Sequence, residues 1–229
     1  MPSQRKRRIG TCAYCGQVRP ITRDHVVPRC LFTRPLPKHM VTVPACDQCN
    51  HRKGQHDSFL RDLLTSDIAG NESPIARRIF EEKVLSSHRQ NKSLLARIVL
   101  REAELKPVLS DSGMYLDECY VAHFDLRRAI EMFSFLVRGL YYRTSKVVLP
   151  AQCEFTLRRL TPDAVREIMD FFVNHNCNGP YSVGTGVFWC AYLRADTDDT
   201  TTVWLLVFYD RIVYAVTTGP PDKQPSQTR

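Results

Sequence analysis

"VPACDQCNHRKG", residues 43 to 54, holds a C-x-x-C pair, Cys46 and Cys49, followed at once by Asn50, Arg52 and Lys53. A second pair, Cys12 and Cys15 in "CAYCG", lies upstream. A two-residue gap lets both thiolates of a pair reach one ion from a tight knuckle, and two knuckles complete a tetrahedral four-cysteine zinc site. A segment this short has too little core to fold without such a staple, so a structural Zn²⁺ is expected at Cys12, Cys15, Cys46 and Cys49. A redox C-x-x-C needs a single pair in a thioredoxin-like βαβ setting, which this stretch does not offer. Cys30, Cys119, Cys153, Cys177 and Cys190 read as small buried thiols outside the site.

Around this segment the charge is uneven. Residues 1 to 56 carry eleven Lys and Arg against two acids, Asp24 and Asp47, while the rest of the 229-residue chain is nearly balanced. A surplus confined to one quarter points to a polyanion partner, since each phosphate contact releases condensed counterions. For "RKRR" at residues 5 to 8 alone, a solvated basic face or a sorting signal explains the charge equally well. The longest strongly apolar run, "VWLLVFY" at 203 to 209, falls far short of the roughly 20 residues that span a bilayer, so no membrane segment is expected. The basic N-terminus runs into "TCAYCG" rather than an apolar stretch. Export is therefore not expected, and a cytoplasmic location with reduced thiols is.

Between the knuckles lies "TRDHVVPRCLF", with Asp24 and His25 side by side in an otherwise basic stretch. The order C-x-x-C, then D-H-x-x-P, then V-P-A-C-x-x-C-N-x-x-K-G resembles the HNH endonucleases with a zinc-stabilised ββα-metal fold of the treble-clef type. The match covers roughly residues 12 to 57. The resemblance implies that Asp24 and Asn50 bind Mg²⁺ or Mn²⁺ through oxygen, a donor type these cations favour. It implies that His25 is the general base, with an ordinary pKa of about 6.5 that leaves it largely neutral at pH 7. Lys53, one turn beyond Asn50, would add positive charge at the phosphorane. Adjacent strand residues point to opposite faces, so Asp24 and His25 serve one phosphate only if the strand bends or ends there. His39 stands where the family has its middle, loop-orienting Asn, and is expected to substitute for it.

DNA is the implied substrate, with Arg5, Lys6, Arg7, Arg8, Arg23, Arg29 and Arg52 as candidate nucleic-acid contacts and His51 and His56 as surface residues. Restriction or anti-phage defence is the biological setting that similar proteins suggest. The reading from a different class is a zinc-ribbon nucleic-acid-binding module without activity.

The expected architecture is α+β. A basic arm (1–9) leads into a zinc-bound ββα-metal module (10–65), a helical connector (66–110), a C-terminal α+β domain with an antiparallel sheet (111–218) and a disordered tail (219–229). Residues 47–67 read as a helix that Gly54 interrupts or kinks. "SPIARRIFEEKVLSSH" reads as a second, with Ser73 as cap and Pro74 at its first position, and "NKSLLARIVLREAEL" as a third, ended by Pro107. Leu126, Ile130, Phe133, Val137 and Leu140 form a helical stripe, and Thr161 with Pro162 starts another helix. "ECYVAHFD", "QCEFTLRRL", "GVFWCAYLR", "TVWLLVFY" and "IVYAVTT" read as strands, the last three as an antiparallel meander. The C-terminal half is expected to pack, oligomerise or engage a partner protein, and to position substrate or restrain the nuclease.

Overall fold

In a computed structural model, residues 8–86, 104–110, 112–121 and 125–221 are described. The N-terminal part is a three-stranded antiparallel sheet, β1 (Ile9–Thr11), β2 (Val18–His25) and β3 (Thr42–Cys46), in the order β1-β2-β3. The β2–β3 register runs from Ile21 opposite Cys46 to His25 opposite Thr42. Helix α1 (Asp47–Thr65) starts directly from Cys46 and runs unbroken through Gly54, whose missing Cβ would meet nothing within 4 Å. Gly54 therefore does not interrupt the helix. Two short helices follow, α2 (Ile68–Asn71) and α3 (Pro74–Ile79), the latter with Ser73 at the cap and Pro74 at its first position as expected.

The chain is α+β with antiparallel sheets. The third expected helix, over 91–105, lies mostly outside the described residues. Where the chain is described again it is a strand: β4 (Glu104–Leu109) pairs with β5 (Tyr115–Val121), so Glu104 to Leu109 do not end a helical connector. Pro107 sits within β4, which a two-stranded sheet tolerates because each strand is an edge. Helix α4 (Leu126–Ser145) is capped by Asp125, whose side chain accepts from the Arg127 amide. Of its expected stripe, Phe133, Val137 and Leu140 are buried and Leu126 is exposed.

The remaining strands, β6 (Glu154–Arg159), β7 (Asn178–Val183), β8 (Phe188–Arg194), β9 (Thr202–Phe208) and β10 (Ile212–Gly219), form one antiparallel sheet in the order β6-β10-β9-β8-β7. Helix α5 (Pro162–Asn174) lies between β6 and β7 in the chain, with Thr161 capping it. Strand β7 was not anticipated, because Gly179 and Pro180 break its pattern; at the sheet edge a proline costs no ladder bond.

Along β9, Trp204, Leu206 and Phe208 join one buried cluster, and Leu205 and Val207 join a second that includes Leu160 and Phe172. Both faces of this strand are covered, which is why its sequence is continuously apolar instead of alternating. The first cluster also contains Cys12, Cys46, Val26, Leu31 and Phe32, so one core runs from the cysteine knuckles to the C-terminal sheet. Two glycines make the closest approaches. A Cβ on Gly139 of α4 would stand 2.8 Å from both γ-methyls of Val26, and one on Gly184, at φ +68°, would stand 2.8 Å from the Phe32 ring. Val26 and Phe32 belong to the loop that follows Asp24 and His25.

A chain truncated after Ser110 strips the cover from Val26, Leu31 and Phe32, each worth about 1.5 to 3 kcal/mol of burial. It is expected to be insoluble or to lack near-UV circular dichroism; a soluble fragment with a cooperative thermal transition would contradict the shared core. No described helix is long and apolar enough to cross a membrane.

Candidate functional site

The first knuckle turns on Gly16, at φ +74°, whose amide donates to the Cys12 carbonyl at 2.9 Å. The second is the start of α1, where Cys46 is the residue before the helix and Cys49 lies in its first turn. The Ala13 amide donates to the Pro44 carbonyl at 2.8 Å and the Cys46 amide to Cys12 Sγ at 3.3 Å, which ties the knuckles together. The four sulfurs all lie within 4.8 Å of one another, and Cys15 Sγ is 4.0 Å from Cys46 Sγ. Tetrahedral zinc–thiolate bonds of about 2.3 Å require sulfurs about 3.8 Å apart, so the four thiols can hold one metal ion. Burial pushes the Cys15 thiol up. At Cys46 burial works in the same direction, but hydrogen bonds from the Cys49 backbone and the neighbouring thiols outweigh it and hold that thiol down. Cys30 stands apart: its thiol donates to the Asp57 carbonyl at 3.1 Å and is pushed up to about 12 by burial.

Helix α1 crosses the face of β2 that carries Thr22 and Asp24, which are two residues apart and so point the same way. Asn50 Nδ2 donates to Thr22 Oγ1 at 3.2 Å, and Lys53 Nζ lies 3.7 Å from Asp24 Oδ2. Asp24 is buried and accepts a 2.5 Å hydrogen bond from the Tyr14 hydroxyl. Lys53, only 3% exposed, also reaches both oxygens of Asp57 at 2.9 and 3.2 Å. One ammonium thus bridges two carboxylates. Burial raises Asp57, and the Asp24 charge adds to that while Lys53 opposes it; burial followed by the Asp24 charge raises Tyr14.

His25 is the last residue of β2 and still stands opposite Thr42 in the ladder, which turns it to the face opposite Asp24. Its imidazole is half-buried and makes no side-chain hydrogen bond among the described residues. Burial, then the Arg29 guanidinium, hold it below the ordinary histidine value, against the opposing pull of Asp24. Both effects favour the neutral ring.

His39, expected to orient the loop carrying His25, is exposed and makes no side-chain hydrogen bond among the described residues. The loop is held from elsewhere. Lys83 Nζ donates to the Cys30 and Phe32 carbonyls at 3.3 and 2.7 Å, and the buried Tyr209 hydroxyl donates to the Leu31 carbonyl at 3.2 Å.

Among the candidate phosphate contacts, Arg8, Arg23 and Arg29 are exposed, and Arg5, Lys6 and Arg7 lie outside the described residues. Arg52 is tied to Glu131 of α4, which also meets His56 Nε2 at 3.2 Å. His56 is buried against Phe135, not a surface residue, because α4 covers that side of α1. His51 is exposed as expected. A hollow of about 550 Å³ beside Asn50 is lined also by Asp47, His51, Gly54 and Gln55.

Tyr14 and Asp57 were not singled out in the sequence. The four-residue step from Lys53 to Asp57 is a helical ion-pair spacing that could have revealed one of them; nothing local marks Tyr14. No protein family, curated protein or solved structure matches this chain.

Proposed function

We propose that this protein is a divalent-metal-dependent endonuclease of the HNH, ββα-metal kind that hydrolyses DNA phosphodiester bonds. The observation that supports it most is the seating of the first turns of α1 on the Thr22–Asp24 face of β2, which sets Asn50 and Asp24 on one side of the hairpin, braced by the four-cysteine cluster, with His25 next in the chain at the end of the strand. The residues present fit a hard cation. Asn50 Oδ1 accepts no hydrogen bond among the described residues, and the Oδ2 edge of Asp24 is engaged by Tyr14 and Lys53 while Oδ1 is left over. A Mg²⁺ or Mn²⁺ ion held there supplies Lewis acidity to a phosphate oxygen and charge for the leaving alkoxide.

The chain's own groups do the rest. His25 takes the proton of the attacking water at its imidazole nitrogen. Tyr14 fixes the Asp24 carboxylate, and Lys53, turned inward, balances Asp24 and Asp57 and does not reach out to the phosphorane. Lys83, Tyr209, Gly139 and Gly184 set the loop behind His25, in the place the family gives to its middle asparagine.

A non-catalytic nucleic-acid-binding reading draws on one observation: Asp24 is 8% exposed and already partnered by Tyr14 and Lys53, as a structural carboxylate would be. Supercoiled plasmid separates the two. The purified protein is expected to nick it with Mg²⁺ or Mn²⁺ and to stop when EDTA is added, and Asn50→Ala is expected to raise the metal concentration needed. Plasmid left intact in every metal leaves only the binding reading; plasmid cut equally by wild type and Asn50→Ala throughout a metal titration removes Asn50 from the metal site.

A further inference from the structure

The β2–β3 hairpin and the C-terminal end of α4 line a trough. Two hollows of about 430 and 580 Å³ adjoin there, sharing Thr42, Val43, Pro44 and Tyr142 as their common floor. Arg8 and Arg23 line one end, Lys38, His39, Arg143 and Lys146 the other, and neither lining contains an acidic side chain. Lys146 donates to the Arg143 carbonyl at 3.0 Å at the end of α4, so the helix terminus accounts for it. The other four cations have no such account: among the described residues the side chains of Arg8, Arg23, Lys38 and Arg143 enter no ion pair. Like charges gathered along one depression without counter-charges repel, a cost that a bound polyanion removes.

The trough also leads toward His25. Residues opposite each other on paired strands share a face, so Arg23 with Pro44, and His25 with Thr42, stand on the trough side. Thr42 lines both hollows. Midway, half-buried Tyr142 offers an aromatic surface of the kind on which single-stranded bases stack.

We propose that this trough is the path of a DNA strand, with phosphates on Arg8, Arg23, Lys38 and Arg143 and a base on Tyr142, carrying the backbone past His25. Lys38, Tyr142 and Arg143 thereby join the binding surface, and α4 becomes part of it. The path deepens the endonuclease reading and rests on it only for the chemistry at His25.

The test measures binding of a fluorescein-labelled single-stranded DNA to the full-length, zinc-loaded protein by anisotropy across a salt series, with no catalytic metal added. The double reversal Lys38→Glu with Arg143→Glu is compared with Arg158→Glu with Arg166→Glu, which changes net charge equally at exposed sites on β6 and α5. The trough pair is expected to weaken binding more than about ten-fold and to flatten the slope of log K against log salt by about 1.4, two contacts at about 0.7 each. The distant pair should leave the slope unchanged. Tyr142→Ala is expected to weaken binding about ten-fold with the slope intact, as loss of stacking requires. Equal losses from the two pairs, or an unchanged slope in the trough pair, overturn the path. If binding depends on the trough but no metal supports cleavage, the catalytic reading fails and the trough stands; cleavage with trough-independent binding does the reverse.

Discussion

Replacing His25 by alanine is expected to lower the rate of plasmid nicking by about 10²- to 10⁴-fold, the usual contribution of a positioned general base. The fold should survive, because the imidazole is half-buried at a strand end and anchors nothing through hydrogen bonds among the described residues. Melting temperature and zinc content therefore serve as controls that must stay at wild-type values. DNA affinity is expected to hold as well, since the neighbouring cations are untouched. A variant that nicks at the wild-type rate in Mg²⁺ and Mn²⁺ removes His25 from the chemistry. A variant that loses zinc or melts early would instead assign His25 a structural part.

The second large effect concerns the knuckles. Cys46→Ser is expected to abolish binding of one zinc ion per chain and to unfold the whole protein, not the N-terminal segment alone. A structural zinc site contributes on the order of 10 kcal/mol in apparent binding, comparable to the total stability of an ordinary domain. Cys12 and Cys46 belong to the same buried cluster as Phe133, Phe208 and Tyr214, so there is no seam along which the remainder could stay folded. Metal analysis and a far-UV thermal melt read the two consequences. Cys30→Ser is the contrasting variant: its thiol donates to the Asp57 carbonyl outside the cluster and should leave zinc content unchanged. Wild-type protein that carries no zinc, and melts identically with and without a chelator, would show the four thiols to be a buried cluster and nothing more.

The knuckles, the D-H pair, the capped helices and the apolar meander were all legible in the sequence. Each is a local pattern: a two-residue cysteine gap, a cap followed by proline, or a run of β-branched and aromatic residues declares itself within a few positions. Even the end of β2 at His25 could be anticipated from Pro28 close behind it.

What stayed hidden depended on who packs against whom. His56 is buried only because α4 lies across α1, and Lys53 faces inward only because Asp24 and Asp57 both stand within its reach. Residues 104 to 109 carry enough helix-compatible side chains to read either way, and pairing with β5 decides for a strand.

The sequence by itself determined that the chain carries a four-cysteine cluster beside an acid, an imidazole and an amide, because ligand spacing is a property of neighbouring residues. Only the tertiary structure decided what holds them in place. Lys83, Tyr209, Gly139 and Gly184 grip the loop behind His25 from segments far along the chain, and contacts closed over such distances leave no local periodicity to be read.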